Sequence, residues 1–298
     1  MVSEKILDFI CSKPDVIDII GYGSGVKKQD GYTKDIKKQI DIITTVDDIN
    51  LWHNSNYEKH PDEYYDLGFK FNKLFNKLGT DINYISNIEY KGDTFKLGVI
   101  EKEDLLKDLY TWQNFFMAGR FQKPIMKLKS DDQLDRAIYY NRLNALRVAL
   151  LLTQGNKITE EELYMTICNL SYMGDIRMML HCENPNKVKN IVNASFYEFK
   201  DMYSEVNEDL FMIKNNIIIP NETLVNQIEL LPYDLLIYLD KNINDLSSDE
   251  IKICIMEYIN KTNLKSSIAQ PCKSMMLNGP SKSLNYLKEK INKGKMSI

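Results

Sequence analysis

The chain has 298 residues, 44% apolar and 27% charged, with a formal net charge of −4 at pH 7. That is long enough for one large domain or two ordinary ones around a substantial core, and the acidic balance excludes a general nucleic-acid binder, which needs an excess of Lys and Arg along a phosphate backbone. Five cysteines without a C-x-x-C pair and three scattered histidines offer neither a disulfide framework nor a transition-metal site.

The first fifteen residues have neither the apolar core of a signal peptide nor the Arg-rich, acid-poor character of a transit peptide. No apolar run approaches the ~18 residues of a spanning helix. The expectation is a cytoplasmic protein with reduced thiols that meets a membrane only from its surface.

Residues 3–11 suit a short amphipathic helix closed off by Pro14, and residues 16–22 read as a buried strand. Gly21, Gly23 and Gly25 then alternate with Tyr22 and Ser24. Glycines let a backbone approach a phosphate and present its N–H groups, and a serine adds a donor; a plain strand-to-helix turn uses the same residues. No G-K-[ST] follows, so this is not a P-loop. After a polar loop over residues 27–38, residues 39–46 form the next strand. Its alternation sets Ile40, Ile42 and Thr44 on one face and Asp41 with Ile43 on the other. An acid inside so apolar a strand needs a partner, either a protein group or a cation such as Mg²⁺. The strand alone leaves both open.

Asp47-Asp48 caps a helix over residues 49–57, and another opens near Asp62 and runs to 78. Residues 81–86 are strand-like, and 89–100 form a hairpin around Gly92-Asp93. A helix follows over 101–118, with Leu105, Leu109, Trp112 and Phe116 on one face, ending at Gly119. Arg120 and Lys123 come next; cations at a helix end either answer its dipole or clamp a polyphosphate. From residue 131 the chain turns helical, and Asn141 on the apolar face is either a satisfied core amide or a site wall. Thr159 and Glu162 form a capping box for a helix to about 171. The stretch SYMGDIR (residues 171–177) is a glycine break, and Asn184-Pro185 starts a helix to about 203. Residues 217–220 read as a strand, and 224–239 and 248–260 as helices. The last 26 residues carry six lysines and one acid. Leu284, Leu287 and Ile291 stripe this tail, which suits either a solvated end or an interfacial helix on an anionic membrane.

Several short stretches, taken in order, resemble the mitochondrial translocator assembly and maintenance protein family. They are GYGSGV (residues 21–26) with Gln29, QIDII (39–43), VDD (46–48), WH with Asn56, KLGVI (96–100), AGRFQKP (118–124), YNRLN (140–144), LSYMGDIR (170–177) and NPNKVKNIV (184–192). The chain departs from the family in having Glu63 before Tyr64, where a histidine is usual, and Thr80-Asp81 in place of a glycine-rich turn.

The resemblance implies an α+β fold: a nucleotidyltransferase-fold mixed-sheet domain (1–128), a mainly helical, winged-helix-like domain (129–240), and a C-terminal helical segment with a basic tail (241–298). It implies a phosphatidate cytidylyltransferase, taking CTP and phosphatidic acid to CDP-diacylglycerol and pyrophosphate with Mg²⁺, at an anionic membrane surface on the inner face of a membrane. Gly23, Ser24 and Gly25 would hold the triphosphate and Asp41 would ligate Mg²⁺. The usual second carboxylate, two residues along the strand, is replaced by Ile43. Asp175, in a matching motif, is preferred over Asp81 as the partner. Lys96, Arg120 and Lys123 are assigned to phosphate or the leaving group, and Asn144 and Arg177 to nucleotide or acceptor. Two other readings stay open: a binding scaffold on a degenerate nucleotidyltransferase fold, and a soluble nucleotidyltransferase with another acceptor.

Overall fold

A computed structural model describes residues 1–27, 39–66, 69, 79–180, 183–239 and 246–279. The basic tail with its stripe at 284–291, the loop at 28–38 and most of the helix expected up to 78 lie outside the described residues.

Five strands build one mixed sheet: β1 (Ile19–Tyr22), β2 (Ile40–Val46), β3 (Asn83–Tyr90), β4 (Asp93–Glu101) and β5 (Met126–Lys129), in the order β3-β4-β2-β1-β5. Only β2 and β4 run parallel; the other pairs are antiparallel. The α+β class is as expected. Because side chains alternate along a strand, the two faces of β2 enter different cores. Ile40, Ile42 and Val46 pack with Ile6 and Phe9 of α1 (Val2–Ile10) and Trp52 of α2 (Ile49–Lys59). Ile43 packs on the opposite face with Ile20, Ile82 and Tyr84 and with the helical part of the chain. Asp41 has the parity of Ile43, so its strand position belongs to the helical side.

The stretches 81–86 and 89–100, read as separate features, are one hairpin. Its first strand absorbs a bulge between Ile85 and Ile88, where Asn87 has φ +58°. The turn at Lys91-Gly92 has positive φ at both residues, the twist a two-residue hairpin needs.

The helix expected over 101–118 is shorter than its apolar spacing suggested. α3 (Lys102–Thr111) ends at Trp112, which is left-handed with φ +62°. The cause is Asp108: its buried carboxylate accepts the backbone N–H groups of Asn114 and Phe115 at 2.8 Å, and of Met117 and Ala118 at 2.8 and 3.1 Å. Four amides are thereby diverted from helix bonding, and the chain turns into the one-turn helix α4 (Ala118–Phe121).

Next come α5 (Asp132–Thr153), α6 (Glu160–Leu170), capped by the Thr159–Glu162 box as expected, α7 (Ile176–Met179) and α8 (Lys187–Ser204). A strand the sequence reading missed, β6 (Phe211–Lys214), pairs with β7 (Ile217–Pro220) through left-handed Asn215 and Asn216. The helix expected over 224–239 is split into α9 (Glu222–Val225) and α10 (Tyr233–Leu239). Pro232 lies between them; proline disfavours helix in the residue before it and suits the start of a new one.

The last helix, α11 (Ser248–Asn278), runs well past residue 260 and through Pro271. Tertiary contacts outweigh the proline. Fully buried Lys273 donates to the Thr80 carbonyl at 2.6 Å. Asn278 accepts from Ser86 N–H and donates to the Tyr84 carbonyl, both at 2.8 Å, clasping β3. One apolar cluster joins sheet residues Ile20 and Ile43 to Leu134 of α5, Tyr164 of α6, Phe199 of α8 and Ile255 of α11.

Candidate active site

β1 leads straight into the glycine-serine turn. Gly23 has φ +73°, and a Cβ there would lie 2.9 Å from Asp41 Oδ2. A Cβ on Gly25 would lie 2.0 Å from the Gln39 carbonyl. Both glycines are therefore required, one by its dihedral and the other by close approach of the turn to β2. Val26 and Lys27 N–H groups close the turn on the Gly23 carbonyl at 3.1 and 2.8 Å. Lys27 also forms an ion pair with Glu198, tying the turn to α8.

Across the sheet, Tyr22, Asp41 and Lys96 occupy paired positions on β1, β2 and β4. Lys96 Nζ stands 4.1 Å from the centre of the Tyr84 ring, and the Tyr22 and Tyr84 hydroxyls are 3.3 Å apart. Burial, the Tyr84 hydroxyl and the Asp41 carboxylate push the Tyr22 phenol well above its ordinary range, so it stays protonated.

Arg120 on α4 faces this row. Its guanidinium lies 3.6 Å from the Phe116 ring centre and donates to the Phe116 carbonyl. Burial works against its charge, but Tyr84 and Tyr22 more than compensate. The short helix can lie where it does because Gly119 touches the next segment directly: a Cβ there would come within 2.6 Å of Ser171 Cβ.

Lys123, just beyond α4, donates to Ser171 Oγ at 2.5 Å and lies 4.9 Å from the Tyr172 ring centre. Burial pulls its ammonium down to about 8; the Cys168 thiol opposes that shift, while Arg120, Lys187 and Arg177 add to it. Asp175 caps α7 and accepts from Arg177 N–H at 2.8 Å. Arg177 also grips the carboxylate with its side chain, Nε to Oδ1 at 3.0 Å and Nη2 to Oδ2 at 2.5 Å. Burial raises the Asp175 carboxyl, but the Arg177 hydrogen bonds and charge, helped by Arg120, leave it below its ordinary range. Lys187, 3.8 Å from Glu183, completes a group of four cations.

Of the residues chosen from sequence, Gly23 and Asp41 are in contact distance, Lys96 stands next to Asp41 in register, and Arg120, Lys123, Asp175 and Arg177 form one electrostatic group. Ser24 and Gly25 belong to the turn. Asn144 is buried on α5, and no described contact joins it to the cations. Its neighbour Asn141 is a core amide, accepting from Trp112 Nε1 at 2.9 Å and donating to the Ala118 carbonyl at 3.0 Å. Asp81 accepts from Asn114 at 2.7 Å. Among the described residues no three His, Cys, Asp or Glu side chains form a group that could hold a metal. Sequence reasoning missed Tyr22, Tyr84, Ser171, Tyr172 and Lys187. All but Tyr84 lie inside the motifs quoted above, but a tyrosine, serine or lysine there has no local pattern that separates a site wall from packing or a solvated surface.

A family model described as phosphatidate cytidylyltransferase, mitochondrial, matches residues 5–230. Proteins of that name are similar to the chain. That of Schizosaccharomyces pombe is 39% identical over 204 residues, covering 67% of this chain and 51% of the relative. That of Saccharomyces cerevisiae is 37% identical over 221 residues, 70% and 57% of the two chains. That of Dictyostelium discoideum is 30% identical, covering 98% and 84%. The chain spans about half the length of the two yeast relatives. The matched region contains the glycine turn, Asp41 and all four cations, and it covers most of the chain: the chain belongs to the phosphatidate cytidylyltransferase family.

Proposed function

We propose that the chain transfers CMP from CTP to phosphatidic acid, giving CDP-diacylglycerol and pyrophosphate. The observation that carries this is the convergence of Arg120, Lys123, Arg177 and Lys187, with Arg120 reaching Tyr22, the register partner of Asp41. Four cations against Asp175 and Glu183 suit a polyanion, and family membership supplies the acceptor. The acceptor is a phosphate monoester, largely ionised near neutrality with a second pKa of roughly 6 to 7 by analogy with phosphoserine. A general base is not needed. The enzyme must instead align two anions that repel each other and neutralise charge as the bond from the α-phosphorus to pyrophosphate breaks.

In this reading Gly23, Ser24 and Gly25 present backbone and hydroxyl donors to the triphosphate. Arg120 and Lys123 hold the departing pyrophosphate, with Lys187 behind them, and Lys96 meets the α-phosphate beside Asp41. Arg177 meets the nucleotide or the acceptor phosphate, and Asn144 is kept as a nucleotide contact. A single carboxylate with triphosphate oxygens is an ordinary setting for Mg²⁺, and Asp41 at the turn fits it. When bound there, Mg²⁺ would neutralise charge at the α-phosphate. Asp175 as a second ligand would have to share oxygens that Arg177 already engages, so we read its main role as aiming Arg177.

The five-stranded sheet is read as a nucleotidyltransferase core, and α5, α6 and α8 with the β6–β7 hairpin as a winged-helix-like unit. The domain limits near 128 and 240 follow from that reading. Among the described residues no helix is long and apolar enough to cross a membrane, which accords with a peripheral enzyme working on anionic lipid.

Incubation with labelled CTP, Mg²⁺ and phosphatidic acid vesicles should yield labelled CDP-diacylglycerol, and Asp41→Asn should abolish it while leaving the folded protein intact. Absence of product from the unsubstituted chain, together with no thermal stabilisation by CTP, would favour a binding scaffold instead.

A further inference from the structure

We propose that Met179 and Leu180 form the rim along which the acyl chains of the acceptor lipid lie, so that the lipid enters the site from a membrane surface at the α7 edge. This rests on the cytidylyltransferase reading above and adds to it where the apolar part of the substrate goes.

Met179 and Leu180 are 60% and 64% exposed, large apolar side chains presented to solvent by the turn that carries Arg177. They are held there. Met179 N–H donates to the Asp175 carbonyl at 3.1 Å and Leu180 N–H to the Ile176 carbonyl at 2.9 Å. The turn is pinned to α11, with Ile176 N–H on Ser267 Oγ at 3.1 Å and Gly174 so close to Asn260 that a Cβ would meet its carbonyl at 2.4 Å. Two adjacent large apolar side chains on a turn whose backbone is fixed offer a small apolar contact surface at a defined place.

The charge beside them names the occupant. Arg177 stands two residues before Met179 on the same short turn, and it belongs to the electrostatic group of Arg120 and Lys123. A phosphatidate molecule has the same layout, with a doubly charged phosphate at one end and two hydrocarbon chains leaving from the other. With its phosphate at Arg177, Met179 and Leu180 offer its chains an exposed apolar surface on the same short turn. Apolar area moved from water into hydrocarbon supplies binding that a free phosphate cannot obtain.

The test uses the full chain with the double substitution Met179→Gln, Leu180→Gln, which keeps helix-compatible side chains of similar length. CMP transfer is measured to long-chain phosphatidic acid in vesicles and to dihexanoyl phosphatidic acid below its micelle concentration, with flotation on phosphatidic acid vesicles alongside. We expect vesicle activity and flotation to fall about tenfold or more, while transfer to the short-chain acceptor stays within about twofold. Unchanged vesicle activity overturns the proposal, as does an equal loss on both acceptors. It is also overturned if the unsubstituted chain self-associates and the substitution abolishes that, which would make the rim a contact with a second copy. If the unsubstituted chain uses neither acceptor, the cytidylyltransferase reading fails separately. Flotation then decides the rim: loss in the variant supports it and unchanged flotation overturns it.

Discussion

Arg177 holds both carboxylate oxygens of Asp175 while Asp175 caps the short helix on which Arg177 sits. The acid thus fixes both the direction of α7 and the direction of the guanidinium. Asp175→Asn should cut kcat/KM for CTP by roughly 10- to 100-fold, the worth of a charged hydrogen-bonded contact. The Mg²⁺ concentration at half-maximal rate should not change. A rise in that concentration would return Asp175 to the metal. Asp41→Asn is the control, which should lose turnover at every Mg²⁺ concentration.

Gly25→Ala should be more damaging than Gly23→Ala. At Gly25 the new Cβ meets backbone at 2.0 Å, whereas at Gly23 it meets a carboxylate that can rotate at the cost of its placement. We expect Gly25→Ala to lower stability by about 2 kcal/mol or more. Gly23→Ala should lose about 1 kcal/mol from its positive φ and most of its turnover. Thermal melts and rates on the two variants separate the effects.

Lys123 gives CTP binding a proton signature. With the ammonium drawn down to about 8 by burial and neighbouring cations, close to half of it is neutral at pH 8, and a bound polyphosphate raises its proton affinity. Titration calorimetry at pH 8 in two buffers of different ionisation enthalpy should show uptake of about half a proton per CTP. The uptake should vanish in Lys123→Arg, since arginine stays charged. Equal heats in the two buffers would contradict the placement of phosphate at Lys123.

His53 sets a window of acid sensitivity. Its ring lies 2.9 Å from the Tyr64 hydroxyl and 3.2 Å from Asn83, and burial together with the Lys273 charge pulls it from 6.5 to about 3. Between those values the unfolded chain binds the proton and the folded chain does not. Stability therefore rises with pH through the window and is lost as pH falls from about 6.5 toward 3. Denaturant melts at pH 7 and 4.5 should show a loss about 2 kcal/mol larger in the unsubstituted chain than in His53→Gln.

Asp108→Asn tests the loop that delivers Arg120. One acceptor oxygen replaces two, leaving two of four buried N–H groups unpaired at about 1–3 kcal/mol each. The melting temperature should fall, and CTP affinity should fall further than in a surface variant of equal stability, because Phe116 and Arg120 lose their placement.

Much of the site's local chemistry was legible in the sequence. The alternation along residues 39–46 put Asp41 on the face of Ile43, the glycine turn was evident before it, and the Thr159 capping box stood as read, because such features depend on neighbours within a few residues. The break of α3 at Trp112 was not legible from apolar spacing, since Asp108 acts through hydrogen bonds that spacing does not register. Nor was the run of α11 through Pro271, which contacts with β3 sustain. At residues 21–48 the sequence by itself determined a glycine-serine turn and one acid on the face of Ile43. Only the tertiary structure decided what stands opposite them. Lys123 and Ser171 are 48 residues apart and Lys273 and Thr80 are 193 apart. Such pairs form only when the packed core covers the loop entropy between them, and no local pattern encodes which distant side chain arrives.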